Sequence, residues 1–277
     1  MPLPTYEIRE LQHQQKVYVN GHYLAAVQQG KFRPYIHPVL TPSGYAVTEI
    51  APADHLHHLG IWFAHEDIDG VNFWAPESQG VHPIPRMLVA STDVEIGRDG
   101  VTFRQEVDWR AGDGDLCMQD SRVIVIGERS DHTMVDVTVT VRAGGDPIRM
   151  GQTKEAGLAV RVADQIDVLD GGRITNANGQ VNEEETFDQV SDWVDYSGPV
   201  SRTNTAGVAI FPHPGSDGIP WFTRNYGPLY VSPWRHQEIT LEPGQSRTVG
   251  ARFAAHDGSC EEVDVAGLYA RFLEEVA

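Results

Sequence analysis

An alternation of apolar and polar residues is the feature that most constrains the fold of this chain. The segment TMVDVTVTV, residues 133–141, places four valines on one face of an extended strand. Residues 94–96 and 101–103 flank the turn sequence GRDG and predict a hairpin. Clusters of Gly, Asp and Pro recur between residues 111 and 245. Short strands separated by such turns predict an all-β fold, an antiparallel β-sandwich or barrel.

The C-terminal segment is the one whose sequence pattern clearly predicts a helix. Apolar residues recur at helical spacing between residues 265 and 276, and Ser259 and Glu262 match the S-x-x-E capping box. Gly267 inside this segment is expected to cost up to about 1 kcal/mol relative to Ala. We predict a helix over about 260–276 that packs on a sheet. No repeat or linker is visible, so a single domain, 1–277, is expected.

Composition narrows the classes of function. The net charge of -18 argues against nucleic acid as a partner, because phosphate binding needs clustered Lys and Arg. Purely apolar runs reach only four or five residues, as in 123–126, whereas a membrane helix needs about 18. The N-terminus has no basic and apolar leader pattern, and Cys117 and Cys260 form no disulfide framework, so a cytoplasmic location is predicted. The sequence also lacks the GxGxxG, P-loop, GxSxG and HExxH motifs.

One short segment, DHLHHLGIWFAHE at residues 54–66, holds four of the twelve histidines. If residues 54–60 are extended, His55 and His57 share one face and His58 takes the other. Such a pair could bind one divalent metal ion, completed by His65 or a distant carboxylate. The Glu that usually follows an H-x-H pair by a few residues is missing, since the next one is Glu66. Histidines acting as general acid or base without a metal are at least as well supported, and a wall of hydrogen-bonded histidines remains the structural alternative.

Three further segments carry candidate groups. The proline-rich stretch at 31–44 lines an edge or a cleft and holds Arg33, Tyr35 and His37, which could bind hydroxyls or only form a solvated edge. The predicted strand at 153–161 contains charged residues, which are costly to bury unless they are paired. They are either groups of a functional site or members of an internal salt bridge or of the solvated face of an edge strand. His213 lies between two prolines on a stiff loop, and aromatic residues between 221 and 234 suit either a sugar ring or a core.

Several ordered segments resemble the PmoA family. They are RPYIHPVLTPSG (33–44), DHLHHLGIWF (54–63), GVNFW (70–74), TKEAGLAVRVA (153–163), DWVDYSGP (192–199) and GVAIFPHP (207–214). The family name refers to a methane oxygenase, but a chain without a bilayer-spanning segment is not that membrane enzyme. The resemblance implies a large β-sandwich similar to the galactose-mutarotase-like supersandwich and a role in carbohydrate metabolism.

Carried over position by position, the resemblance marks a set of residues in this chain. They are Arg33, Tyr35, His55, His57, His58, Trp62, Asn72, Trp74, Lys154, Glu155, Arg161, Trp193, Tyr196 and His213. Where the family pattern reads DHPHHR, this chain has DHLHHL. Leu56 therefore replaces a proline and Leu59 a basic residue, which implies a different ligand if that basic residue binds substrate elsewhere in the family.

The leading prediction is a carbohydrate-active enzyme that uses acid/base chemistry on a sugar or an oxidised (keto) glycoside, as an epimerase or mutarotase, a lyase or a hydrolase. The predicted catalytic residues are His55, His57, His58, His213 and Glu155. The predicted substrate-binding residues are Arg33, Tyr35, His37, Trp62, Asn72, Trp74, Lys154, Arg161, Trp193, Tyr196 and Arg224.

Two alternatives stay open at this point. One is a metal-dependent β-barrel enzyme that holds one divalent metal on His55, His57 and His65, whereas the leading prediction needs no cofactor. The other is a non-catalytic carbohydrate-binding module. The expected partner is a small carbohydrate, with no nucleic acid and no membrane, and a homo-oligomer is compatible with the sequence.

Overall fold

A computed structural model describes residues 4–79 and 82–276, and within them the chain builds two eight-stranded antiparallel sheets and one two-stranded sheet. The strands are β1 (Tyr6–Leu11), β2 (Gln14–Val19), β3 (His22–Gln29), β4 (Pro34–Val39), β5 (Ile61–His65), β6 (Arg86–Ile96), β7 (Val101–Arg110), β8 (Leu116–Glu128), β9 (His132–Arg142), β10 (Ile148–Met150), β11 (Ala156–Arg161), β12 (Arg173–Asn176), β13 (Val194–Pro199), β14 (Thr205–Pro212), β15 (Trp221–Thr223), β16 (Pro228–Val231), β17 (Ile239–Leu241) and β18 (Ser246–Asp257).

Sheet one runs in the order β1-β2-β3-β4-β5-β11-β16-β15, and sheet two in the order β12-β13-β14-β18-β9-β8-β7-β6. The remaining pair is β10-β17. Two 3-10 turns, Pro76–Gln79 and Asp164–Ile166, and the short helix α1 (Asn182–Thr186) lie in the connections. The predicted antiparallel β-sandwich is confirmed.

The alternating segments form the strands that the pattern predicts. In β9, Val135, Val137, Val139 and Val141 are all buried, as expected for the inward face of a half-buried strand. The predicted hairpin joins β6 to β7, with Ile96 opposite Val101. Both strands extend well beyond the short segments that the sequence marked.

The inner face of sheet one is fixed by contacts across the sandwich. The ring of Phe63 in β5 lies 5.8 Å from the ring of Trp109 in sheet two. Because successive side chains of a strand point to opposite faces, Trp62 points to the outer face of sheet one. Strand register then places Trp62, Ala159, Tyr230 and Phe222 in one row across β5, β11, β16 and β15. This outer row carries the candidate site.

The C-terminal helix is confirmed, with a break that the sequence analysis did not predict. It consists of α2 (Cys260–Val263) and α3 (Val265–Val276), separated by Asp264 in a left-handed conformation with φ of 54°. The capping box is present, because the Ser259 side chain accepts from the Glu262 N–H and the Glu262 carboxylate accepts from the Ser259 N–H. Asp264 in turn accepts from the Gly267 N–H at 3.1 Å and so caps the second helix.

Gly267 has a different role from the one expected. A Cβ at this position would lie 2.3 Å from Asp264 Oδ2, so a glycine is required for the Asp264 side chain to cap α3. The helix buries Val265, Leu268 and Phe272 against the outer face of sheet two. None of the described helices is long and apolar enough to cross a membrane.

Candidate active site

The histidine-rich segment is a loop and not the extended strand that was considered in the sequence analysis. Residues 51–60, here called the histidine loop, are the last part of the connection from β4 to β5. They form two tight turns, in which His55 N–H donates to Pro52 O and His58 N–H donates to His55 O. Gly60 ends the loop with φ of +57°, and a Cβ there would lie 2.2 Å from Ile36 O. The loop therefore folds back over the sheet, and strand alternation does not decide which histidines meet.

Three imidazoles pack together in this loop. The rings of His55 and His58 are stacked 4.7 Å apart, and His57 meets His58 edge-on at 4.6 Å. Tyr226 also stacks parallel to His55, at 4.8 Å, so the His55 ring is held between two flat neighbours. His58 stacks in turn on Trp62 at 5.2 Å. The predicted grouping of His55, His57 and His58 is therefore present, and Trp62 supports it from below.

Asp54 orients His55. Its Oδ2 lies 2.8 Å from His55 Nδ1 and accepts a hydrogen bond of 3.1 Å from Arg161 Nη1. Partial burial acts to raise the pKa of Asp54, but the hydrogen bonds from His55 and Arg161 and the Arg161 charge outweigh it and lower the pKa to about 2. A carboxylate on Nδ1 selects the neutral tautomer that carries its proton there, which leaves Nε2 as a free acceptor. His55 is thereby prepared to act as a base.

Arg161 is an internal ion-pair residue. Its side chain is buried and donates to Asp54 and to Asp164 Oδ1, the latter at 3.0 Å. It also lies 3.4 Å from His58 Nδ1. Both site binding and an internal salt bridge were open for this residue, and the geometry makes Arg161 a group that positions Asp54 and His58.

The other two histidines of the cluster are held neutral. Burial, with the nearby Arg33 and His55, lowers the pKa of His57 to about 4. Burial, with the neighbouring histidines and Arg161, lowers the pKa of His58 to about 2. Neutral imidazoles at physiological pH bind and orient hydroxyl groups, but they supply no proton as an acid.

Glu155 lies directly before β11 and next to Lys154, whose carbonyl oxygen accepts a hydrogen bond from the Tyr230 hydroxyl at 2.7 Å. Burial and the nearby Glu66 raise the pKa of Glu155, against opposing effects of Lys154 and His55. Its N–H donates to Thr153 Oγ1, which itself donates to Glu66 and so keeps the two carboxyl groups close. A carboxyl group with a raised pKa beside an oriented imidazole forms an acid and base pair. Lys154 is exposed.

Below these groups lies an aromatic floor, defined as Trp62, Trp74, Tyr230 and Phe222. Consecutive rings are 5.2, 5.1 and 4.2 Å apart in that order. All four are buried, so Trp62 and Trp74, which were predicted to bind substrate, support the site from beneath. Asn72, also predicted to bind substrate, accepts from the Ala75 N–H at 2.8 Å and shapes the turn that carries Trp74.

Arg33 is completely buried next to this floor. Its Nη2 donates to Trp74 O, while Nε and Nη1 have no hydrogen-bond acceptor among residues 4–79 and 82–276. Burial lowers the pKa of Arg33 to about 10, opposed by the charge of Glu77. Arg33 therefore supports Trp74 and acts electrostatically on His57, and its contact with substrate stays a prediction.

Three other residues that were predicted to bind substrate form hydrogen bonds within the protein. The Tyr35 hydroxyl donates to Gln28 Oε1 at 3.1 Å, and His37 Nδ1 lies 3.0 Å from Thr48 Oγ1. The Tyr196 hydroxyl accepts from the Val168 N–H and donates to Asn225 O, so it braces the loop that carries Tyr226. Arg224 differs from these, because it lies at the edge of the floor with its guanidinium 4.4 Å from the Phe222 ring centre.

His213 and Trp193 are not part of this site. Both lie at the outer face of sheet two, where Trp193 packs in the cluster under the C-terminal helix and His213 stacks on Phe272 at 5.7 Å. His213 Nε2 forms an ion pair with Asp136. The predicted pairing of His213 with the histidine loop as acid and base is therefore wrong, because the sandwich separates the two.

His65 is also separated from the loop. It faces inward on β5, with its ring 5.3 Å from that of Trp234, and Nδ1 accepts from the Asp67 N–H. Over the part of the chain that the structure describes, no group of three His, Cys, Asp or Glu residues is arranged to hold a metal ion. A metal held by His55, His57 and His65 together does not fit this geometry, and other metal arrangements stay a prediction.

Two residues near the site, Asp54 and Arg235, were not predicted, and two others, Tyr226 and Tyr230, were predicted only as members of an aromatic cluster that suits a sugar ring or a core. Asp54 had a signal in its position directly before His55, since a short acidic side chain can reach the neighbouring ring. The other three come from loops and strands more than 150 residues away in sequence, and only the strand register brings them to the histidine loop.

Comparisons with known proteins extend these observations. The model of a family of unknown function, DUF6807, matches residues 10–270. No curated protein matches the chain. Among solved structures, a galactose mutarotase-like protein from Lactobacillus casei ATCC 334 is similar at 10% identity and a TM-score of 0.40, covering 91% of this chain and 100% of that one.

Two further solved structures are similar at a comparable level. A galactose mutarotase related enzyme from Lactobacillus acidophilus has 7% identity and a TM-score of 0.36, with 91% of this chain and 97% of that one covered. A polysaccharide lyase has 13% identity and a TM-score of 0.34, with 94% of this chain and 33% of that one covered. Such distant similarities define no reaction, so an activity has to be argued from the site itself.

Proposed function

We propose that this chain, which belongs to the DUF6807 family, is an acid/base enzyme that acts on a carbohydrate at its hemiacetal carbon, as a mutarotase-like isomerase. One observation carries the proposal. Asp54 fixes His55 with Nε2 free to accept a proton, and the hydrogen bond from the Tyr230 hydroxyl to Lys154 O holds the neighbouring Glu155 at the aromatic floor under the histidine loop. The resemblance to the PmoA family stays a prediction, and its link to carbohydrate metabolism agrees with this assignment without defining a reaction.

The proposed reaction needs one base and one acid. His55 Nε2 removes the proton of the anomeric hydroxyl, and Glu155 gives its proton to the ring oxygen. The bond between the anomeric carbon and the ring oxygen breaks, and the electron pair of the hydroxyl oxygen forms the carbonyl of the open-chain aldehyde. Rotation about the neighbouring carbon–carbon bond, followed by the reverse transfers, yields the other anomer and restores both groups.

The remaining groups have supporting roles in this scheme. His57 is neutral and partly exposed, so it can hydrogen-bond a sugar hydroxyl. Tyr226 keeps the His55 ring in its plane from one side and His58 does so from the other. Asp54 stabilises the imidazolium that forms when His55 takes the proton, as an ionised carboxylate should.

The test is a screen of reducing sugars by exchange NMR, which measures the rate of conversion between α and β anomers. His55→Ala and Glu155→Gln should each reduce the enzyme-dependent rate by about 100-fold or more. His22→Ala is the matched control, because His22 is exposed at the start of β3 in a different part of sheet one. It should leave the rate unchanged.

Two results would contradict the proposal. Equal rates in the wild type, His55→Ala and Glu155→Gln proteins would remove these residues from catalysis. Saturable sugar binding without any exchange or product would favour the non-catalytic carbohydrate-binding module instead. Incubation with keto glycosides, followed by mass spectrometry of the products, separates isomerisation from elimination and hydrolysis.

A further inference from the structure

Two guanidinium groups lie at the Phe222 end of the aromatic floor. Phe187 and Phe222 meet edge-on at 5.6 Å, and the Arg224 guanidinium carbon lies 4.0 and 4.4 Å from their ring centres. The Arg235 guanidinium carbon lies 4.2 and 5.5 Å from the same two centres. Phe222 stacks on Tyr230, so the two cations, here called the arginine pair, border the floor directly.

The arginine pair is only partly used by the protein. Arg224 Nη1 donates to Glu183 Oε1 at 2.9 Å, and Arg235 Nε donates to Asp188 Oδ1 at 2.8 Å. The Arg235 side chain is only 8% exposed, yet its Nη1 has no acceptor within the described parts of the chain. A buried cationic N–H without an acceptor is costly, and such a group in a site indicates that a ligand supplies the missing oxygen.

The arginine pair borders the same space as the acid and base. The backbone around Arg235 is tied to the segment before Glu155, because Thr153 N–H donates to Trp234 O at 3.1 Å and the Gln152 amide donates to Arg235 O at 3.4 Å. The Tyr230 hydroxyl donates to Lys154 O at 2.7 Å, directly before Glu155, and the Tyr230 ring stacks on Phe222, over which both guanidinium groups lie. Glu155, Tyr230 and the arginine pair therefore surround one region beside the histidine loop.

We infer that the carbohydrate bound at this site carries a carboxylate group, which Arg235 binds through its free Nη1 with the support of Arg224. This inference rests on the proposed function and names the substrate class of that same site, a uronic or other sugar acid. A carboxylate forms a charge-assisted hydrogen bond with a guanidinium, which is stronger than the bond that a sugar hydroxyl would make.

The local charge favours a carboxylate over a phosphate ester. Each arginine is already paired with an acid, Glu183 or Asp188, so the pair has little excess positive charge. A dianionic phosphate next to these two acids would meet uncompensated repulsion, whereas a monoanionic carboxylate adds one charge and one planar acceptor.

The experiment compares ligands on the unmodified protein first. Calorimetric titration measures the binding of glucuronate and galacturonate, their methyl esters, glucose and galactose, and glucose 6-phosphate. We expect a uronate to bind about 10- to 100-fold more tightly than its methyl ester and its neutral parent sugar. This comparison needs no variant and so does not depend on whether a mutant folds.

Two variants then locate the effect, after thermal melting shows that both are folded. Arg235→Gln should remove most of the preference for the uronate. His236→Gln is the matched control, because His236 Nε2 shares Asp188 Oδ1 with Arg235 at 2.7 Å but its side chain is 55% exposed. It should keep the preference.

The outcomes separate this inference from the function that it rests on. Equal binding of uronate, ester and neutral sugar, with anomer exchange that still depends on His55 and Glu155, would overturn the carboxylate inference alone. Tighter binding of glucose 6-phosphate than of either uronate would replace the carboxylate with a phosphate and overturn it as well. A protein that neither binds nor converts any sugar of the panel would overturn both proposals.

Discussion

Replacing Asp54 by Ala tests the central contact of the proposed site. The change removes the acceptor that lies 2.8 Å from His55 Nδ1 and 3.1 Å from Arg161 Nη1. A hydrogen bond to a charged group contributes about 1.5–3 kcal/mol, so the loss of base orientation should slow anomer exchange by about 10- to 150-fold. The Asp54 side chain is 42% exposed and Arg161 keeps Asp164, so we discount the stability cost to about 1–2 kcal/mol.

The measurements are calorimetric melting and the exchange rate of the sugar that the screen identifies. For a chain of this size, 1–2 kcal/mol corresponds to a fall in Tm of roughly 2–8 °C. Nitrogen-15 NMR of the imidazoles adds a readout that needs no substrate. His55 should carry its proton on Nδ1 in the wild type and lose this preference in Asp54→Ala.

Asp164→Ala is the matched control for this prediction. Asp164 is the other carboxylate on Arg161, at 3.0 Å, but it makes no contact with His55. Its removal should lower Tm to a similar or smaller extent and leave the exchange rate and the His55 proton in place. An equal loss of exchange rate in both variants would show that Asp54 acts only through Arg161, and the orientation of His55 by Asp54 would then be refuted.

Two further predictions concern stability. Burial lowers the folded-state pKa of His58 to about 2 and of His65 to about 3, against an ordinary value of 6.5, so the unfolded chain takes up protons below pH 6.5 while the folded chain does not. Stability should therefore fall as the pH drops from 7 to 5, by about 2 kcal/mol per histidine, and an unchanged urea midpoint would contradict this. Gly60→Ala should cost more than about 2 kcal/mol, because its φ of +57° is strained for Ala and the new Cβ would lie 2.2 Å from a backbone oxygen of β4. Gly44→Ala, with φ of +85° and open space around the Cβ, should cost only about 1 kcal/mol in the same unfolding assay.

The sheets were predictable where one physical signal dominates. Burial of alternate residues fixes the valine face of β9, and turn residues fix the hairpin between β6 and β7, because both effects act over a few neighbouring positions. The break at Asp264 was not predictable from the apolar pattern, which continues through it. It depends on a side chain that caps the next helix and on the space that Gly267 leaves for it.

The site was only partly predictable for a related reason. The histidines of the loop were visible as a local cluster, and the apolar neighbours of Arg161 indicated its burial, but the same pattern did not show that Lys154 is exposed. Whether a residue faces the outer surface of sheet one or of sheet two depends on pairings between strands that are distant in sequence. The two prolines around His213 suggested a pre-positioned catalytic group, and this was the reason for predicting it near the histidine loop. His213 instead packs against the C-terminal helix, where its ring stacks on Phe272.

An aspartate beside a histidine is not in itself a sign of catalysis in this protein. The described residues contain five such ion pairs, which involve His55, His132, His213, His236 and His256. Asp131 and His132 even repeat the adjacent arrangement, with the same separation of 2.8 Å at Nδ1. His132, however, is only 6% exposed and lies at the start of β9 in sheet two, away from the histidine loop and the aromatic floor. His55 differs because its side chain is 34% exposed and because it stacks, through His58, over the aromatic floor to which the segment of Glu155 is hydrogen-bonded. Access to the second ring nitrogen and a nearby acid, more than the aspartate, distinguish the proposed catalytic histidine from its structural counterparts.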